Sequence, residues 1–280
     1  MTYVARKTLP FRVEFIRQLR RRRTAISFGL MVLLPLIVVA AVKFGPSDDD
    51  SGDFGGGDLD LIGLATNGAG NFTIVMIFFA TGFLLTTVFA LFAGDTVASE
   101  ASWSSLRYLL AAPVPRRRLL RIKLAVAMTL NLIAIIILIL VSYLIGILAF
   151  GNSPLISPLG GEFTTTEEFL RLGIIGGYVY LTLLFVSGLA FYMSVRTDVP
   201  LGAVGTAVLL VIVFAILDAI TALGDLRNWL PGHYSQAWTD VLNPEIVWLD
   251  MAKGAASATV LFSVLVTLAI FKFDRKDILS

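Results

Sequence analysis

The first residue that could do chemistry is a carboxylate inside an apolar stretch. Asp218 lies in the segment FAILDAITALG, and a charged side chain at membrane depth is costly enough to indicate a contact with a proton or a cationic substrate. Asp218 precedes Gly224 by six residues, which is about 9 Å along a helix. A hydrated vestibule near the membrane surface would explain this carboxylate equally well, and both interpretations stay open.

His233 and Tyr234 belong to a second candidate segment, LPGHYSQAW. His233 is the only histidine of the chain and cysteine is absent, which excludes a multi-histidine metal site and any thiolate chemistry. Neither a Ser-His-Asp arrangement nor an H-E-x-x-H motif is apparent, so no catalytic residues are predicted. A single histidine is most often an interfacial residue with satisfied hydrogen bonds, although Asp218 and His233 could also act as acid and base.

An acidic, glycine-rich segment, DDDSGDFGGGDLD, could offer oxygen ligands to calcium. It lacks the ligand spacing and the terminal bidentate glutamate of an EF-hand loop. Carboxylates on a flexible tether are usually just solvated. The sequence therefore predicts no metal and no cofactor for this chain.

Long apolar runs are the elements that must position these residues. The chain has 280 residues, is 57% hydrophobic and 15% charged, and has a mean hydropathy of +0.85, which is typical of an integral membrane protein. About 20 apolar residues cross the hydrocarbon core as a helix. Six such runs predict a single all-α membrane domain with transmembrane helices at 24–44, 71–94, 124–150, 172–195, 199–223 and 254–273.

Basic residues gather on one side of these six runs. Both termini share that side, and 18 of the 22 Lys and Arg residues lie there. This excess predicts a cytoplasmic face, with both termini inside the cell and the protein in the plasma membrane. The same clustering explains the pI near 8.9 without a nucleic-acid partner. Residues 116–123, RRRLLRIK, are interpreted as the inner-face anchor of the third span.

Two segments on the basic side have amphipathic patterns. Residues 3–23 predict a helix that lies in the membrane interface, because one stripe of it is apolar. The stripe consists of Phe11, Phe15, Ile16 and Leu19. The loop 96–115 is longer than a link between antiparallel helices requires, and its pattern is helical until Pro113 and Pro115. A helix with an exposed apolar edge beside a membrane lies on lipid or docks a partner.

Glu100, the segment SLRYLLAAPVPRRRLLRIK and the closing FDRKDI together resemble the ABC-2 type (type V) ABC transporter permeases. The N-terminal amphipathic helix resembles the connecting helix of that family, and the order of six spans extends the resemblance over nearly the whole chain. Family members usually have Gly-Thr where this sequence has Ser104 and Ser105. The resemblance implies that 96–115 carries a coupling helix and that short re-entrant helices occupy 225–250.

The resemblance also implies a membrane subunit that works with partners. Such a subunit forms a homodimer or heterodimer with a second permease, contacts membrane lipid, and pairs with two copies of an ABC ATP-binding subunit that bind ATP and Mg. This chain has no G-x-x-x-x-G-K-[ST] motif, so it is not expected to be an enzyme. The expected activity is export of a hydrophobic or amphiphilic substrate such as a drug, a lipid or a peptide.

These expectations assign roles to two groups of residues. The expected contacts with the ATP-binding subunit are Glu100, Trp103, Leu106 and Arg107. The expected translocation path or gate contains Asp218, His233 and Tyr234. Two alternatives remain: a membrane-embedded lipid-modifying enzyme with Asp218 and His233 as its acid–base groups, and a scaffold or sensor subunit that docks a cytoplasmic protein without transport.

The fourth apolar run carries a small-xxx-small pattern, Gly173 and Gly177. This pattern allows two helices to approach closely. The sequence does not distinguish packing within the subunit from packing across a dimer.

Overall fold

The computed structural model describes residues 10–44, 61–102, 115–157 and 160–275, which form a bundle of helices. Six of these helices are long and apolar enough to span a membrane. The predicted all-α membrane fold is therefore confirmed. The α-helices of the described residues are α1 Phe11–Leu19, α2 Arg22–Phe44, α3 Leu61–Thr66, α4 Ala69–Ser102, α5 Arg116–Phe150, α6 Thr165–Arg196, α7 Pro200–Ala219 and α8 Leu249–Asp274.

Shorter elements lie at the end of the bundle opposite to α1. Strands β1 Leu155–Ile156 and β2 Glu162–Phe163 pair antiparallel. Residues 220–248, named the outer segment here, contain the 3₁₀ helices Thr221–Trp229 and Ala237–Leu242. Short helices were predicted in this region. Both are 3₁₀ helices; the first is interrupted at Gly224, with φ of 52°, and Gly232, with φ of 92°, lies in the turn between them.

Five of the six spanning helices extend past the apolar limits that the sequence predicted. Helix α7 instead ends at Ala219, short of the predicted residue 223, because Ile220 leaves helical backbone with ψ of 101°. Helix α4 continues to Ser102, so residues 96–102 of the predicted coupling loop belong to the same helix as the second span. Helix α5 begins at Arg116 rather than near 124. Hydrocarbon thickness limits only the apolar part of a helix, and polar turns can continue beyond it. Residues 103–114 and the acidic loop 48–60 lie outside the described residues.

Helix α1 is amphipathic, and its polar face turns towards the protein. Phe11, Ile16 and Leu19 are exposed, whereas Glu14 and Gln18 are buried. Exposed apolar side chains on a basic helix are suited to the lipid interface. The inward face therefore brings a carboxylate and an amide into the bundle.

Helix α6 is the centre of the bundle. In its most apolar stretch 72% of the residues are buried, against 17% in α2, α7 and α8. Gly188 allows α8 to approach closely, because a Cβ at this position would lie 3.1 Å from the Cα of Phe262. The Ser194 hydroxyl accepts a hydrogen bond from the backbone N–H of Ala98 on α4 at 3.0 Å. Helix α6 thus fixes both α4 and α8, the helices that position the sites below.

Candidate functional site

Four charged side chains from three helices meet at the end of the bundle that carries α1. They are Glu14 and Arg17 of α1, Glu100 of α4 and Lys123 of α5. Lys123 Nζ lies 2.6 Å from a carboxylate oxygen of Glu100 and 3.3 Å from one of Glu14. Arg17 lies 2.7 Å from Glu14 and also pairs with Glu100. This group, named the basic-end cluster, contains two acids and two cations and is balanced in charge.

Three of the four side chains of the basic-end cluster are buried, and the fourth, Arg17, is 40% exposed. The side chains of Glu14 and Lys123 are 1% exposed and that of Glu100 is 3% exposed. Burial raises the pKa of Glu14, but the Lys123 ammonium and the hydrogen bond from Arg17 outweigh burial, and the net pKa lies below its ordinary value. Glu14 is therefore ionised at neutral pH, and the cluster is held by ion pairs.

A second set of ion pairs joins α4 to the junction of α1 and α2. Arg21 Nη1 donates to Asp95 at 3.1 Å and to the Ser99 hydroxyl at 3.4 Å. Arg23 also pairs with Asp95. Asp95 and Ser99 are four residues apart and share one face of α4. The last turns of α4 are consequently tied to α1, α2 and α5 together.

Glu100 was predicted to contact a partner subunit, and the structure places its carboxylate in the interior of the bundle. The other predicted contacts, Trp103, Leu106 and Arg107, lie outside the described residues. Residues 116–123 were interpreted as the inner-face anchor of the third span, and Lys123 does not fit that role, because its side chain is 1% exposed and lies between two glutamates. Two buried carboxylates need a cation beside them, and that need turns Lys123 inward.

At the opposite end of the bundle the structure brings Asp218, His233 and Tyr234 together. His233 Nδ1 is 2.5 Å from an oxygen of Asp218, and Arg227 Nε is 3.7 Å from the same oxygen. The His233 ring meets Tyr234 edge to face, with centroids 4.7 Å apart. The Tyr178 hydroxyl donates to the backbone carbonyl of Tyr234 at 2.6 Å. Asp218 is thus not an isolated charge, since His233 and Arg227 of the outer segment face it.

Asp218 and Tyr234 also line a cavity of about 240 Å³ between α4, α6, α7, α8 and the outer segment. Several hydroxyl groups line this outer cavity: Thr81, Thr86, Thr182 and Ser257. Thr81 belongs to a π-helical turn of α4, Ala80–Leu85, and such turns are frequent at functional sites. The volume is below the roughly 300–1,000 Å³ of pockets for drug-sized ligands. In this conformation the cavity is too small for a whole amphiphile.

Arg171 of α6 holds the outer segment in place. It is buried, and it donates to the backbone carbonyls of Asn243 at 2.8 Å and Pro244 at 3.1 Å, as well as to that of Val241. Its guanidinium lies 3.7 Å from the ring centroid of Phe163. Sequence reasoning did not single out Arg171, since a lone arginine near a helix start gives no signal for carbonyl partners 70 or more residues away.

Comparison with known families assigns the chain. A family model described as a protein of unknown function, DUF2705, matches residues 61–279. The chain belongs to the DUF2705 family. No curated protein matches it. The DUF2705 match spans α3 to α8 and so contains Glu100, Lys123 and Asp218, whereas Glu14 and Arg17 of α1 precede it.

The two sites of this DUF2705 protein differ in what they can do chemically. The described residues contain no group of three or more His, Cys, Asp or Glu side chains that could hold a metal ion. Asp218 and His233 could exchange a proton, but in the part of the chain that the structure describes no hydroxyl hydrogen-bonds to His233 Nε2. The basic-end cluster has no reactive group aimed at a cavity, and its chemistry is the joining of helices.

One signal in the DUF2705 sequence could have revealed the basic-end cluster. Glu14 is the only acidic residue before Asp48, and Asp95 and Glu100 are the only two between Asp60 and Glu162. Isolated acids among many cations are expected to form ion pairs with them. The sequence therefore predicts that Glu14, Asp95 and Glu100, the acids of the buried pairs, form ion pairs, because few other acidic residues lie near them along the chain.

Proposed function

We propose that this DUF2705 protein is the transmembrane permease subunit of an ABC-2 type exporter. It dimerises in the plasma membrane, and both of its termini lie in the cytoplasm. The excess of cations on the side of α1 supports this orientation. It couples ATP hydrolysis by two separate nucleotide-binding subunits to export of a hydrophobic or amphiphilic substrate. The observation that carries the proposal is the basic-end cluster, which joins α1, α4 and α5 where the loop 103–114 begins and ends.

A subunit that receives force on a loop needs a rigid base for that loop. Glu100 lies two residues before the end of α4 at Ser102. Its carboxylate pairs with Arg17 of α1 and Lys123 of α5. A push on the loop therefore moves three helices together, because packed interiors with paired charges shift between discrete arrangements rather than deform gradually.

The outer cavity supports the same proposal at the other end of the bundle. Asp218 belongs to α7 and lines the cavity, and its contacts with His233 and Arg227 join α7 to the outer segment beside the cavity. Arg171 ties the far end of that segment to α6. Movement of α7 relative to α6 would separate Asp218 from His233 and open the cavity, which is how a gate works.

Partner binding and coupling are tested with separate variants. The full-length chain is purified from native membranes by an affinity tag, and the ATP-binding subunit that accompanies it is identified. Leu106→Asp is expected to lose this subunit. Leu226→Asp makes the same change at a leucine that is 68% exposed in the outer segment and is expected to keep it.

Glu100→Gln tests the coupling role of the basic-end cluster. We expect this variant to retain the ATP-binding subunit and to lower the ATPase activity of the complex, because Lys123 and Arg17 lose an ionised partner while the loop keeps its sequence. Recovery of no ATPase by the unmodified chain contradicts the proposal. Equal recovery and equal ATPase activity for Leu106→Asp and Glu100→Gln contradict it as well.

A membrane-embedded lipid-modifying enzyme is the second candidate, because Asp218 and His233 are 2.5 Å apart beside a cavity lined with hydroxyl groups. This candidate predicts turnover of phospholipid by the purified chain alone and loss of turnover in Asp218→Asn. The permease proposal predicts no turnover by the purified chain in either form.

A further inference from the structure

A groove with cations at its mouth separates the C-terminal turns of α6 and α8. Its volume is about 410 Å³, and α6 contributes Tyr192, Val195 and Arg196 while α8 contributes Leu268, Phe271, Lys272 and Arg275. This groove, named the basic groove, lies at the same end of the bundle as α1, because Asp274 of α8 pairs with Arg117 at the start of α5. None of the described residues that line it is acidic.

The three cations of the basic groove are available to a ligand. Arg196, Lys272 and Arg275 are exposed, and they form no ion pair with any residue in the described ranges. The adjacent carboxylate of Asp274 is directed to Arg117, whose Nε lies 2.8 Å away. Helix dipoles favour cations at both C-terminal turns, but they do not account for an apolar-walled groove between them.

Tyr192 and Leu268 lie deeper in the groove than its cations, whereas Val195 and Phe271 lie beside them. Tyr192 precedes Arg196 by four residues and Leu268 precedes Lys272 by four, which is about 6 Å along each helix. Leu268 and Phe271 remain 47% and 56% exposed, so their surface faces the membrane. The Tyr192 hydroxyl makes no hydrogen bond to the described residues. A ligand that matches this order has an anionic head at the membrane surface and an apolar tail directed into the bilayer.

We propose that the basic groove binds one anionic phospholipid of the adjacent leaflet. Arg196, Lys272 and Arg275 hold the phosphate, and the first acyl carbons lie along Leu268 and Phe271. A soluble phosphate would leave the apolar wall unused, and a cytoplasmic protein would not reach side chains one helical turn inside the span. Basic pockets between the ends of membrane helices are known to take anionic head groups. The site does not depend on an ATPase partner.

Native mass spectrometry of the full-length protein in detergent tests the site. The probes are dioleoyl phosphatidylglycerol, dioleoyl phosphatidylcholine and glycerol 3-phosphate. We expect one phosphatidylglycerol molecule to bind tightly and phosphatidylcholine to bind more weakly. Glycerol 3-phosphate should not displace the bound phosphatidylglycerol. Each cation near an anionic head group contributes about fivefold in affinity. A triple variant that combines Arg196→Gln, Lys272→Gln and Arg275→Gln should therefore weaken phosphatidylglycerol binding roughly 100-fold.

A matched variant separates the groove from the general positive charge of this face. Arg12→Gln with Arg20→Gln and Arg22→Gln removes the same charge from exposed arginines of the same end and should leave binding unchanged. Leu268→Ala with Phe271→Ala keeps every charge and should weaken phosphatidylglycerol at least fivefold. The proposal is overturned if the variant of Arg12, Arg20 and Arg22 loses as much phosphatidylglycerol affinity as the variant of Arg196, Lys272 and Arg275. Unchanged phosphatidylglycerol binding in the variant of Arg196, Lys272 and Arg275, or full competition by glycerol 3-phosphate, also overturns it. Thermal unfolding without added lipid verifies that each variant is folded.

Discussion

Replacing Lys123 by methionine removes the ammonium between two buried carboxylates and nearly preserves the length of the side chain. Nζ lies 2.6 Å from Glu100 and 3.3 Å from Glu14, and the side chain is 1% exposed. Arg17 would then be the only cation of the cluster against two acids. Removing one partner of a buried ion pair costs about 3–5 kcal/mol. At about 2–4 °C per kcal/mol for a chain of this size, the midpoint of unfolding should fall by roughly 6–20 °C.

Lys253→Met provides a matched control in the same chain. Lys253 Nζ lies 2.8 Å from Asp250, a separation like that of Lys123 and Glu100, but both of its side chains are about half exposed. Water screens exposed ion pairs, which contribute little to stability, so the midpoint should fall far less than in Lys123→Met. Scanning fluorimetry of the purified protein in one detergent at neutral pH measures both variants.

A double variant isolates the charge imbalance from the loss of packing. Lys123→Met with Glu100→Gln leaves Glu14 and Arg17 as a balanced pair, 2.7 Å apart. This variant should recover at least half of the loss seen in Lys123→Met, since no carboxylate then lacks a cation. Equal shifts for Lys123→Met and Lys253→Met, or a double variant less stable than Lys123→Met, would refute the electrostatic reasoning.

Three further predictions follow from the same structure. The pKa of Glu14 is lowered from 4.5 in the folded protein. The ionised Glu14 carboxylate therefore stabilises the fold fully above about pH 4.5, and this stabilisation is lost as the pH falls through the lower folded pKa. The unfolding midpoints of wild type and Glu14→Gln should consequently approach each other only in acid. Arg171→Met removes charge-assisted bonds worth about 1.5–3 kcal/mol each and should speed tryptic cleavage of the outer segment at least tenfold, with Arg171→Lys intermediate. Among the described residues, a Cβ at Gly173 would meet nothing within 4 Å, and the same holds at Gly205. If the small residues of α6 form the dimer contact, Gly173→Leu should lower the dimer fraction in chemical crosslinking and Gly205→Leu should not.

The spans were predictable because lipid imposes a simple rule on length and hydropathy. Each of the six apolar runs contains or overlaps one of the six long helices. Most residues that differ are polar turns at helix ends, but residues 220–223 are largely apolar and lie beyond the end of α7. The path of the outer segment was less predictable, because its turns at Gly224 and Gly232 depend on positive φ angles rather than on an apolar period. A hydropathy profile does not report such local backbone geometry.

The charged residues are visible in the sequence, but the sequence does not predict which of them pair with each other. Glu14 and Lys123 are 109 residues apart, and a pattern of Lys and Arg residues gives the side of the membrane without naming a partner. Asp218 and His233 were both candidates from the sequence, but their contact depends on the outer segment folding back over α7. Arg171 sets that fold through backbone carbonyls, which carry no signature in side-chain types.

Photo-crosslinking from the loop tests the proposed function most directly. A photoreactive amino acid replaces Leu106 in one full-length chain and Leu226 in another, each is illuminated in native membranes, and the crosslinked proteins are identified by mass spectrometry. The permease proposal predicts an ATP-binding-cassette ATPase crosslinked at position 106 and absent at position 226. No ATPase at position 106, or the same proteins at both positions, would contradict it.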